Sequence, residues 1–226
     1  EFGGSLIRTE ATGYGAVYML QEMLLRIGNS VEGKTAVISG SGNVATHAAE
    51  KIVQLGGKVL TMSDSGGFIH DPDGIDQEKI DWIKAHKTHR RGRIEEYVKE
   101  FKSASFHAGE RPWGVKCDLA LPCATQNELD GNDAEVLIKN GCMGVSEGAN
   151  MPTNLDGVHK FKDAEVLYAP GKAANAGGVA VSALEMSQNS ARISWTEDQL
   201  QTLLLDTMKG IHNRCVEYGG TPGSEH

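Results

Sequence analysis

The sequence predicts an α/β protein with a doubly wound, Rossmann-like sheet that is mostly parallel, carries helices on both faces and is followed by long helices. Strand-like runs alternate with helical periods along the middle of the chain, which is the pattern of a sheet covered on both sides. A glycine-rich turn joins the first strand-like run directly to a helix, and the last third of the chain has helical periods without strands. With 226 residues, 39% of them hydrophobic, the chain is long enough to bury a large core.

The first part of the chain predicts a helix followed by a β-α-β unit. Residues 11–28 carry apolar side chains at steps of three and four, the spacing of an amphipathic helix that ends near Gly28. Residues 35–39 and 58–63 are short β-prone runs, and residues 44–55 between them have a helical period. Because this crossover is a helix, the two strands are expected to be parallel.

From residue 71 onward the predicted elements continue the alternation and then become helical throughout. Residues 71–75 form a turn, and residues 76–102 have the pattern of two helices broken at Gly92. The later predicted elements are strands at 118–121, 143–147 and 165–169, helices near 128–139 and 154–162 between them, and long helices at 173–192 and 196–218. Val179, Leu184 and Met186 in the first long helix are expected in the core.

Composition and charge exclude several classes of function. The 22 Lys and Arg residues are outnumbered by 30 Asp and Glu residues, and the net charge of −8 argues against a nucleic-acid or anionic-membrane partner. The sequence has no apolar run of about 18 residues and no signal-type segment, so a cytoplasmic location is expected. The cysteines (Cys117, Cys123, Cys142 and Cys215) form no C-x-x-C pair, which predicts buried thiols and no metal site.

The turn after the first predicted strand has the composition of a phosphate-binding loop. The segment Gly40-Ser41-Gly42-Asn43-Val44-Ala45 fits the pattern G-x-G-x-x-G/A at the junction of a strand and a helix. Gly40 makes the tight turn, Gly42 lets the backbone approach a diphosphate, and Ala45 allows close packing of the helix on the strand. The amide groups at the helix start then face the anion. A glycine-rich turn without a ligand is the alternative.

Two features near the next strand bear on which dinucleotide would bind. Asp64 ends that strand, at the distance where a dinucleotide fold places an acid for the adenosine ribose, and this alone indicates NAD. The stretch 84–93 contains five Lys or Arg residues and no acid, which suits the 2′-phosphate of NADP, and Ser65 could add a hydroxyl donor. A solvated basic helix is the alternative for this stretch.

Four sequence blocks carry a resemblance to a known family. They are Gly3-Gly4-Ser5-Leu6-Ile7-Arg8-Thr9-Glu10-Ala11-Thr12-Gly13-Tyr14-Gly15, Pro122-Cys123-Ala124-Thr125-Gln126-Asn127, Glu147-Gly148-Ala149-Asn150-Met151-Pro152-Thr153 and Gly171-Lys172-Ala173-Ala174-Asn175-Ala176-Gly177-Gly178. With these blocks in their order and spacing, the chain closely resembles the coenzyme-binding domain of the hexameric, NADP-type glutamate dehydrogenases. The resemblance covers nearly all 226 residues.

The resemblance implies an activity and a set of site residues. The activity is the reversible oxidative deamination of L-glutamate to 2-oxoglutarate and ammonium, with hydride passing between the substrate and the nicotinamide. By resemblance, Arg8 and Thr12 lie near the nicotinamide and Ser182 faces the substrate carboxylate. The remaining cofactor residues that it implies are Gly40, Ser41, Gly42, Asn43 and Val44 at the diphosphate, Asp64, Ser65, Lys87 and Arg93 at the 2′-phosphate end, Ala124 and Thr125 in the cofactor channel, and Asn150 and Asn175 at the nicotinamide carboxamide or its ribose.

The same resemblance favours NADP as the cofactor, with NAD as a weaker ligand, and it defines what the chain lacks. The family's catalytic Lys and Asp belong to an N-terminal domain whose blocks do not occur here, so no catalytic residue is assigned.

Residues 1–226 are expected to be one dinucleotide-binding domain with a core at about 30–190, a helical connecting segment at about 191–218 and a flexible tail at 219–226. The chain starts at Glu1 without Met and resembles an excised piece.

Two functions of different class stay open at this stage. The chain is either part of a glutamate-converting enzyme or, taken alone, an NADP(H)-binding module with little turnover. The parent enzyme is expected to be a homohexamer, and the isolated chain a monomer or weak dimer. A leucine- or phenylalanine-type amino-acid dehydrogenase is the remaining enzyme alternative, because it shares the fold.

Overall fold

The computed structural model describes residues 3–89 and 91–219, which form one seven-stranded sheet with surrounding helices. The strands are β1 (Thr35–Ile38), β2 (Lys58–Asp64), β3 (Gly67–His70), β4 (Ser105–Ala108), β5 (Leu119–Leu121), β6 (Gly144–Ser146) and β7 (Leu167–Ala169). The helices are α1 (Ala11–Arg26), α2 (Asn43–Gln54), α3 (Gln77–His89), α4 (Tyr97–Glu100), α5 (Gly131–Lys139), α6 (Leu155–Asp163), α7 (Gly171–Ala174), α8 (Gly177–Ala191) and α9 (Glu197–Gly219).

The sheet is mostly parallel and confirms the predicted fold class. Its strand order is β4-β3-β2-β1-β5-β6-β7, and strands β2, β1, β5, β6 and β7 pair in parallel. The chain runs from β1 to β2 on one side and later returns to β5 on the other side of β1. The carboxyl ends of β1 and β5 therefore form the crevice at a topological switch point, where open α/β sheets bind their ligands.

Side chains of the central strands alternate between two hydrophobic clusters, one on each face of the sheet. Ile38 of β1 and Leu121 of β5 belong to the cluster that contains α1, α2, α8 and α9. Val37 and Ala120, their neighbours in sequence, belong to the cluster that contains α5 and α6. Because successive side chains of a strand point to opposite faces, this division confirms a sheet covered by helices on both sides.

Helices α1 and α2 cross closely because α1 carries a glycine at the crossing. A Cβ atom on Gly13 would lie 2.6 Å from both the amide nitrogen of Ala48 and the carbonyl oxygen of Val44. Real Cβ atoms do not approach backbone so closely, so a side chain at residue 13 would push the two helices apart. The position of α2, which starts at the glycine turn, therefore depends on Gly13.

Two strands and two helical regions differ from the sequence-based expectation. Strands β3 and β4 were not predicted, and they extend the sheet by antiparallel pairing beside β2. The long helix predicted at 173–192 is divided into α7 and α8, which leaves Asn175 and Ala176 between them. The region 76–102 contains α3, a short 3-10 turn and the single-turn helix α4, not two full helices.

Three burial predictions were also wrong. Val179 and Met186 were expected in the core, but they are 70% and 72% exposed on α8. Cys215 is exposed, whereas the other three cysteines are buried as predicted.

Gly219 ends α9, and the rest of the predicted flexible tail, like Arg90, lies outside the described residues. Within residues 3–89 and 91–219, no helix is long and apolar enough to cross a membrane.

Candidate functional site

The glycine turn between β1 and α2 has the backbone geometry of a phosphate site. Gly40 has φ +86°, and a Cβ atom there would lie 2.9 Å from the carbonyl oxygen of Cys123, so both conformation and space require glycine. The amide of Gly40 donates to the hydroxyl of Ser63 at 2.7 Å, which fixes the turn to the end of β2. Strand β5 thus approaches the turn directly from the other side.

The start of α2 leaves hydrogen-bond donors available at this turn. Gly42 is the N-cap residue, and no side chain caps the first amides of α2. No atom lies within 4 Å of the place where a Cβ atom on Gly42 would stand, so a ligand has room to approach the backbone. Uncapped amides at the positive end of a helix dipole bind anions, and a diphosphate suits this geometry.

A cleft of about 600 Å³, here called the main cleft, opens beside this turn. It brings together residues from α1, the start of α2, the loop after β5, the loop after β6 and helix α8. The predicted site residues that line it are Arg8, Thr12, Val44, Ala124, Thr125, Asn150, Asn175 and Ser182. Cys123, Gln126, Gly148, Ala149, Gly178 and Val179 complete the lining. Segments up to 174 positions apart in the sequence therefore meet at one site.

Two polar pairs are found on the walls of the main cleft. The Nε atom of Arg8 donates to the hydroxyl of Ser182 at 2.7 Å, which joins the segment before α1 to helix α8. The side-chain amide of Asn175 donates to Oδ1 of Asn150 at 2.8 Å. Both pairs retain further donors and acceptors, so they can bind a ligand without leaving the protein groups unpaired.

A buried carboxylate that the sequence analysis did not identify supports the Asn150–Asn175 pair. Glu147 is 3% exposed and accepts hydrogen bonds from the amide of Gly171 at 2.6 Å, the hydroxyl of Tyr168 at 2.6 Å and the amide of Thr153 at 3.2 Å. Burial, followed by the hydrogen bond to Glu147, raises the pKa of Tyr168 well above its usual value. Glu147 thereby ties together the loops after β6 and β7. Its occurrence beside Gly148 in a resemblance block was the only sequence signal.

A second carboxylate missed by the sequence analysis supports the loop after β5. Glu128 accepts hydrogen bonds from the amides of Ala124 at 2.9 Å and Thr125 at 3.3 Å. Burial raises the pKa of Glu128, and hydrogen bonds from Ser39, Ala124 and Thr125 only partly offset this effect. Ser39 also accepts from the amide of Cys123 at 2.9 Å. Ala124 and Thr125, which the sequence analysis predicted in a cofactor channel, are thus held by their backbones.

A smaller recess of about 200 Å³ lies at the end of β2 and is here called the phosphate pocket. Asp64, Ser65, Gly66, Arg93, Glu95 and Phe106 line it. Arg93 donates to the hydroxyl of Ser65 at 2.5 Å, although the two residues lie 28 positions apart. Lys87 reaches the same place, because its ammonium group lies 3.2 Å from Oδ2 of Asp64. The structure therefore groups all four residues that the sequence analysis placed at the 2′-phosphate.

Asp64 acts as the anchor of the phosphate pocket. Its carboxylate accepts hydrogen bonds from the amides of Gly66 at 2.8 Å and Ile94 at 2.9 Å, in addition to Lys87. Burial alone would raise the pKa of Asp64, but the two amides and the Lys87 ammonium outweigh it and hold the pKa below its usual value. The ionised carboxylate therefore holds the segment that carries Arg93 against the end of β2.

The basic stretch does not act as one unit. Lys84 lies one turn before Lys87 on α3, yet its ammonium group pairs with Glu50 of α2 at 2.9 Å. Glu50 also accepts from the hydroxyl of Tyr14 at 2.7 Å. Lys84 thus joins α3 to α2, whereas Arg93 lines the phosphate pocket and Lys87 contacts Asp64 at its edge. Arg90 lies outside the described residues.

Comparison with known proteins gives one family and a consistent group of relatives. The family model described as glutamate/leucine/phenylalanine/valine dehydrogenase matches residues 3–225. The NAD(P)-specific glutamate dehydrogenase of Xylanibacter ruminicola is 56% identical over 222 residues, covering 98% of this chain and 50% of the relative. The NADP-specific glutamate dehydrogenase of Haemophilus influenzae is 51% identical over 225 residues, covering 100% of this chain and 50% of the relative.

A solved structure agrees with the sequence comparison. The crystal structure of Plasmodium falciparum glutamate dehydrogenase superimposes with a TM-score of 0.94 at 45% identity, covering 98% of this chain and 48% of that chain. The chain spans about half the length of the curated relatives that it matches.

Proposed function

The chain belongs to the glutamate/leucine/phenylalanine/valine dehydrogenase family, and we propose from this premise that it is the NADP(H)-binding domain of a glutamate dehydrogenase. The parent enzyme then catalyses the reversible oxidative deamination of L-glutamate to 2-oxoglutarate and ammonium. The observation that carries the proposal is the position of the uncapped glycine turn between the main cleft and the phosphate pocket. Both relatives described above are named glutamate dehydrogenases, which favours glutamate over leucine or phenylalanine as the substrate.

The residues present fit a nicotinamide dinucleotide. Gly42 leaves open space above the turn, Gly40 supplies the positive φ that the turn needs, and no side chain caps the first amides of α2. We assign the diphosphate to Gly40, Ser41, Gly42, Asn43 and Val44. The nicotinamide ring of the bound cofactor supplies the hydride chemistry.

The protein's own residues orient the two reacting ends in the main cleft. Arg8, Thr12, Asn150 and Asn175 are assigned to the nicotinamide and its ribose, and Ala124 and Thr125 to the channel beside it. Ser182 is assigned to the substrate carboxylate, and its hydrogen bond from Arg8 holds its hydroxyl in place. Uncharged amide and hydroxyl groups fix the ring by hydrogen bonds.

The phosphate pocket supports a preference for NADP over NAD. Arg93 and Lys87 offer two cations to a 2′-phosphate, and Ser65 offers a hydroxyl. Contacts with Ser65 and Asp64 hold the two cations at this end of the sheet. Glu95 lines the same recess and opposes an added dianion, but the two cations outnumber it. We therefore propose that NADP binds more tightly and that NAD binds as a weaker ligand.

The isolated chain is proposed to bind the cofactor with little turnover. Oxidation of an amino acid needs a general acid or base within hydrogen-bond reach of the reacting carbon. We place that group in the half of the parent that this chain does not span, which makes residues 1–226 a single dinucleotide-binding domain. We further propose that the parent is a homohexamer and that the chain alone is a monomer or weak dimer.

The first test is a calorimetric titration of the chain with NADPH and NADH. NADPH is expected to bind more tightly, and Lys87→Ala or Arg93→Ala should weaken NADPH binding about tenfold to a hundredfold, because each removes a charge-assisted contact. NADH binding should change little. Lys84→Ala is the matched control, since it removes the same charge from the same helix outside the phosphate pocket. NADH binding more tightly than NADPH to the unaltered chain would contradict the proposal.

The second test measures turnover. The purified chain mixed with glutamate and NADP should give no sustained rise in the absorbance of NADPH, because no general acid or base for the reaction is assigned to this chain. The control adds a separately expressed N-terminal half of the Haemophilus influenzae relative to the same mixture. A robust rate from the chain alone would refute the fragment interpretation and leave the cofactor assignment intact.

A further inference from the structure

We propose that His86 is a specificity-determining positioning residue: its imidazole ring sets the place of Arg93 and thereby helps to select the 2′-phosphate. This inference rests on the proposed function, because it concerns the same phosphate pocket. His86 does not line the pocket itself. It acts from beneath, through the short turn of residues 91–93, which we call the Arg93 turn.

The ring of His86 rests on a rigid aromatic base. His86 is 3% exposed, and its ring stacks on Trp82, one turn earlier on α3, with centroids 4.5 Å apart and planes 11° from parallel. Trp82 in turn meets Tyr97 and Phe101 edge to face, at 5.8 Å and 5.9 Å between centroids. Such close aromatic packing leaves the imidazole little freedom to move.

The Arg93 turn lies directly on this ring at Gly92. A Cβ atom on residue 92 would overlap with Nε2 and Cε1 of His86. Gly92 is not among the residues with positive φ, so its backbone conformation is open to any amino acid. Glycine at this position is therefore required by the imidazole ring and not by the turn geometry.

Polar contacts fix the turn to α3 in the same place. Nε2 of His86 lies 3.2 Å from the carbonyl oxygen of Arg93, and the protonated nitrogen donates to it. The amide of Gly92 donates to the carbonyl of His86 at 3.2 Å, and Lys87 donates to the carbonyl of Gly92 at 3.3 Å. The backbone of residues 92 and 93 is thus held by consecutive residues of α3.

This placement leaves one polar atom of His86 without a partner. Among residues 3–89 and 91–219, Nδ1 of His86 is buried and accepts no hydrogen bond. A buried polar atom without a partner costs free energy, and an apolar side chain at residue 86 would avoid that cost. Nε2 lies 3.2 Å from the carbonyl oxygen of Arg93 and 3.7 Å from Oε1 of Glu96, and an apolar side chain could make neither contact.

The effect of His86 is confined to one end of the proposed cofactor site. From the Arg93 turn, the guanidinium of Arg93 extends to Ser65 and the amide of Ile94 to Asp64. His86 is not among the described residues that line the main cleft. Loss of the ring should therefore weaken binding of the 2′-phosphate and spare the rest of the dinucleotide.

The test compares NADPH and NADH titrations of the 226-residue chain and three variants: His86→Ala, Gly92→Ala and the double variant. His86→Ala and Gly92→Ala should each weaken NADPH binding about tenfold, the scale of one misplaced charge-assisted hydrogen bond, while NADH affinity stays within about twofold. In the double variant the ring is gone, so the added methyl group has room and Gly92→Ala should cause little further loss.

The outcomes separate this inference from the proposed function and from a general structural role. The role of His86 in selection is overturned if the unaltered chain prefers NADPH and either variant weakens the binding of both cofactors equally. It is also overturned if either variant leaves both affinities unchanged. If the unaltered chain binds neither cofactor or prefers NADH, the proposed function fails first and this inference with it. If circular dichroism shows that His86→Ala does not fold, the Gly92→Ala variant tests the inference alone, because it keeps the stacked rings of His86 and Trp82.

Discussion

A buried and a half-buried carboxylate hold the loops of the main cleft at fixed positions. Glu147 accepts from Thr153 after β6, Tyr168 in β7 and Gly171 after β7, and Glu128 accepts from two consecutive amides of the loop after β5. Neither carboxylate is among the residues that line the main cleft. They stabilise the backbone on which Asn150, Asn175 and Thr125 stand, because a charged acceptor forms stronger hydrogen bonds than a neutral one.

Glu147→Gln is expected to destabilise the fold and to weaken the binding of both cofactors together. The amide NH₂ would face either the Gly171 amide or the Thr153 amide and Tyr168 hydroxyl, which donate to different oxygens of Glu147. At least one buried hydrogen bond is therefore lost, at a cost of about 2–3 kcal/mol in the free energy of unfolding. Urea unfolding and cofactor titration measure the two effects. Glu135→Gln is the control, since Glu135 pairs with Lys139 and Lys160 on the surface and should change stability by less than about 1 kcal/mol. Equal, small effects of both changes would contradict this role.

At the residue scale, the sequence indicated groups whose chemistry has a motif or a family resemblance. The glycine turn and Asp64 follow a known spacing, and the structure brings Asp64, Ser65, Lys87 and Arg93 together, while their roles in binding stay predictions. Glu147, Glu128 and His86 were missed because they bind backbone atoms, and no spacing in the sequence reports which carbonyl or amide comes near. Val179 was misplaced because its helix is apolar on more than one side.

At the scale of elements, the crossing of α1 and α2 links helix packing to the glycine turn. Gly13→Ala is expected to destabilise the protein by about 1–3 kcal/mol, because the new methyl group meets backbone atoms that cannot rotate away. Because α2 carries the proposed diphosphate site at its start, NADPH and NADH affinity should fall by the same factor. Thermal unfolding and the two titrations measure this.

Gly210→Ala is the matched control for that substitution. Gly210 lies within α9, and no atom stands within 4 Å of the place of its Cβ atom. The same exchange should there raise stability by up to about 1 kcal/mol, since alanine is the better helix former. A stabilising Gly13→Ala would show that the helices can separate without cost.

The elements that sequence patterns failed to predict are those defined by distant pairing. Strands β3 and β4 are only four residues each, and β3 lacks an alternation of apolar and polar side chains. Their pairing partners lie up to 41 positions away, between Gly67 and Ala108, so local propensity carries little information about them. The parallel strands and long helices were predicted because their apolar patterns span many residues.

At the scale of the whole molecule, Asp71 is expected to make the free energy of unfolding depend on pH. It is fully buried directly after β3 and binds Lys79 at 2.8 Å, the hydroxyl of Tyr97 at 2.8 Å and the hydroxyl of Ser103 at 2.9 Å. Burial alone would raise the pKa of Asp71, but these hydrogen bonds and the Lys79 ammonium outweigh it and lower the pKa. The antiparallel edge of the sheet is thereby joined to α3 and α4.

Stability should fall as the pH drops below about 4. A carboxylate whose pKa is lowered on folding contributes fully above its unfolded value of about 3.9 and loses that contribution as pH falls through the folded value. Asp71→Asn should therefore lower the free energy of unfolding at pH 7 by about 3–5 kcal/mol, since Lys79 loses its charge partner, and flatten the decline in acid. Urea unfolding between pH 3 and pH 7 tests this, with the surface change Asp156→Asn as the control. If the free energy of unfolding of Asp71→Asn fell in acid as steeply as that of the unaltered chain, carboxylates other than Asp71 would be responsible for the fall.

The main cleft and the phosphate pocket share no lining residue. Under the proposed assignments, we expect point mutations around Arg93 to alter the choice between the two coenzymes without changing the groups assigned to the reaction. The relatives at 56% and 51% identity bear NAD(P)-specific and NADP-specific names, a difference that this separation would allow.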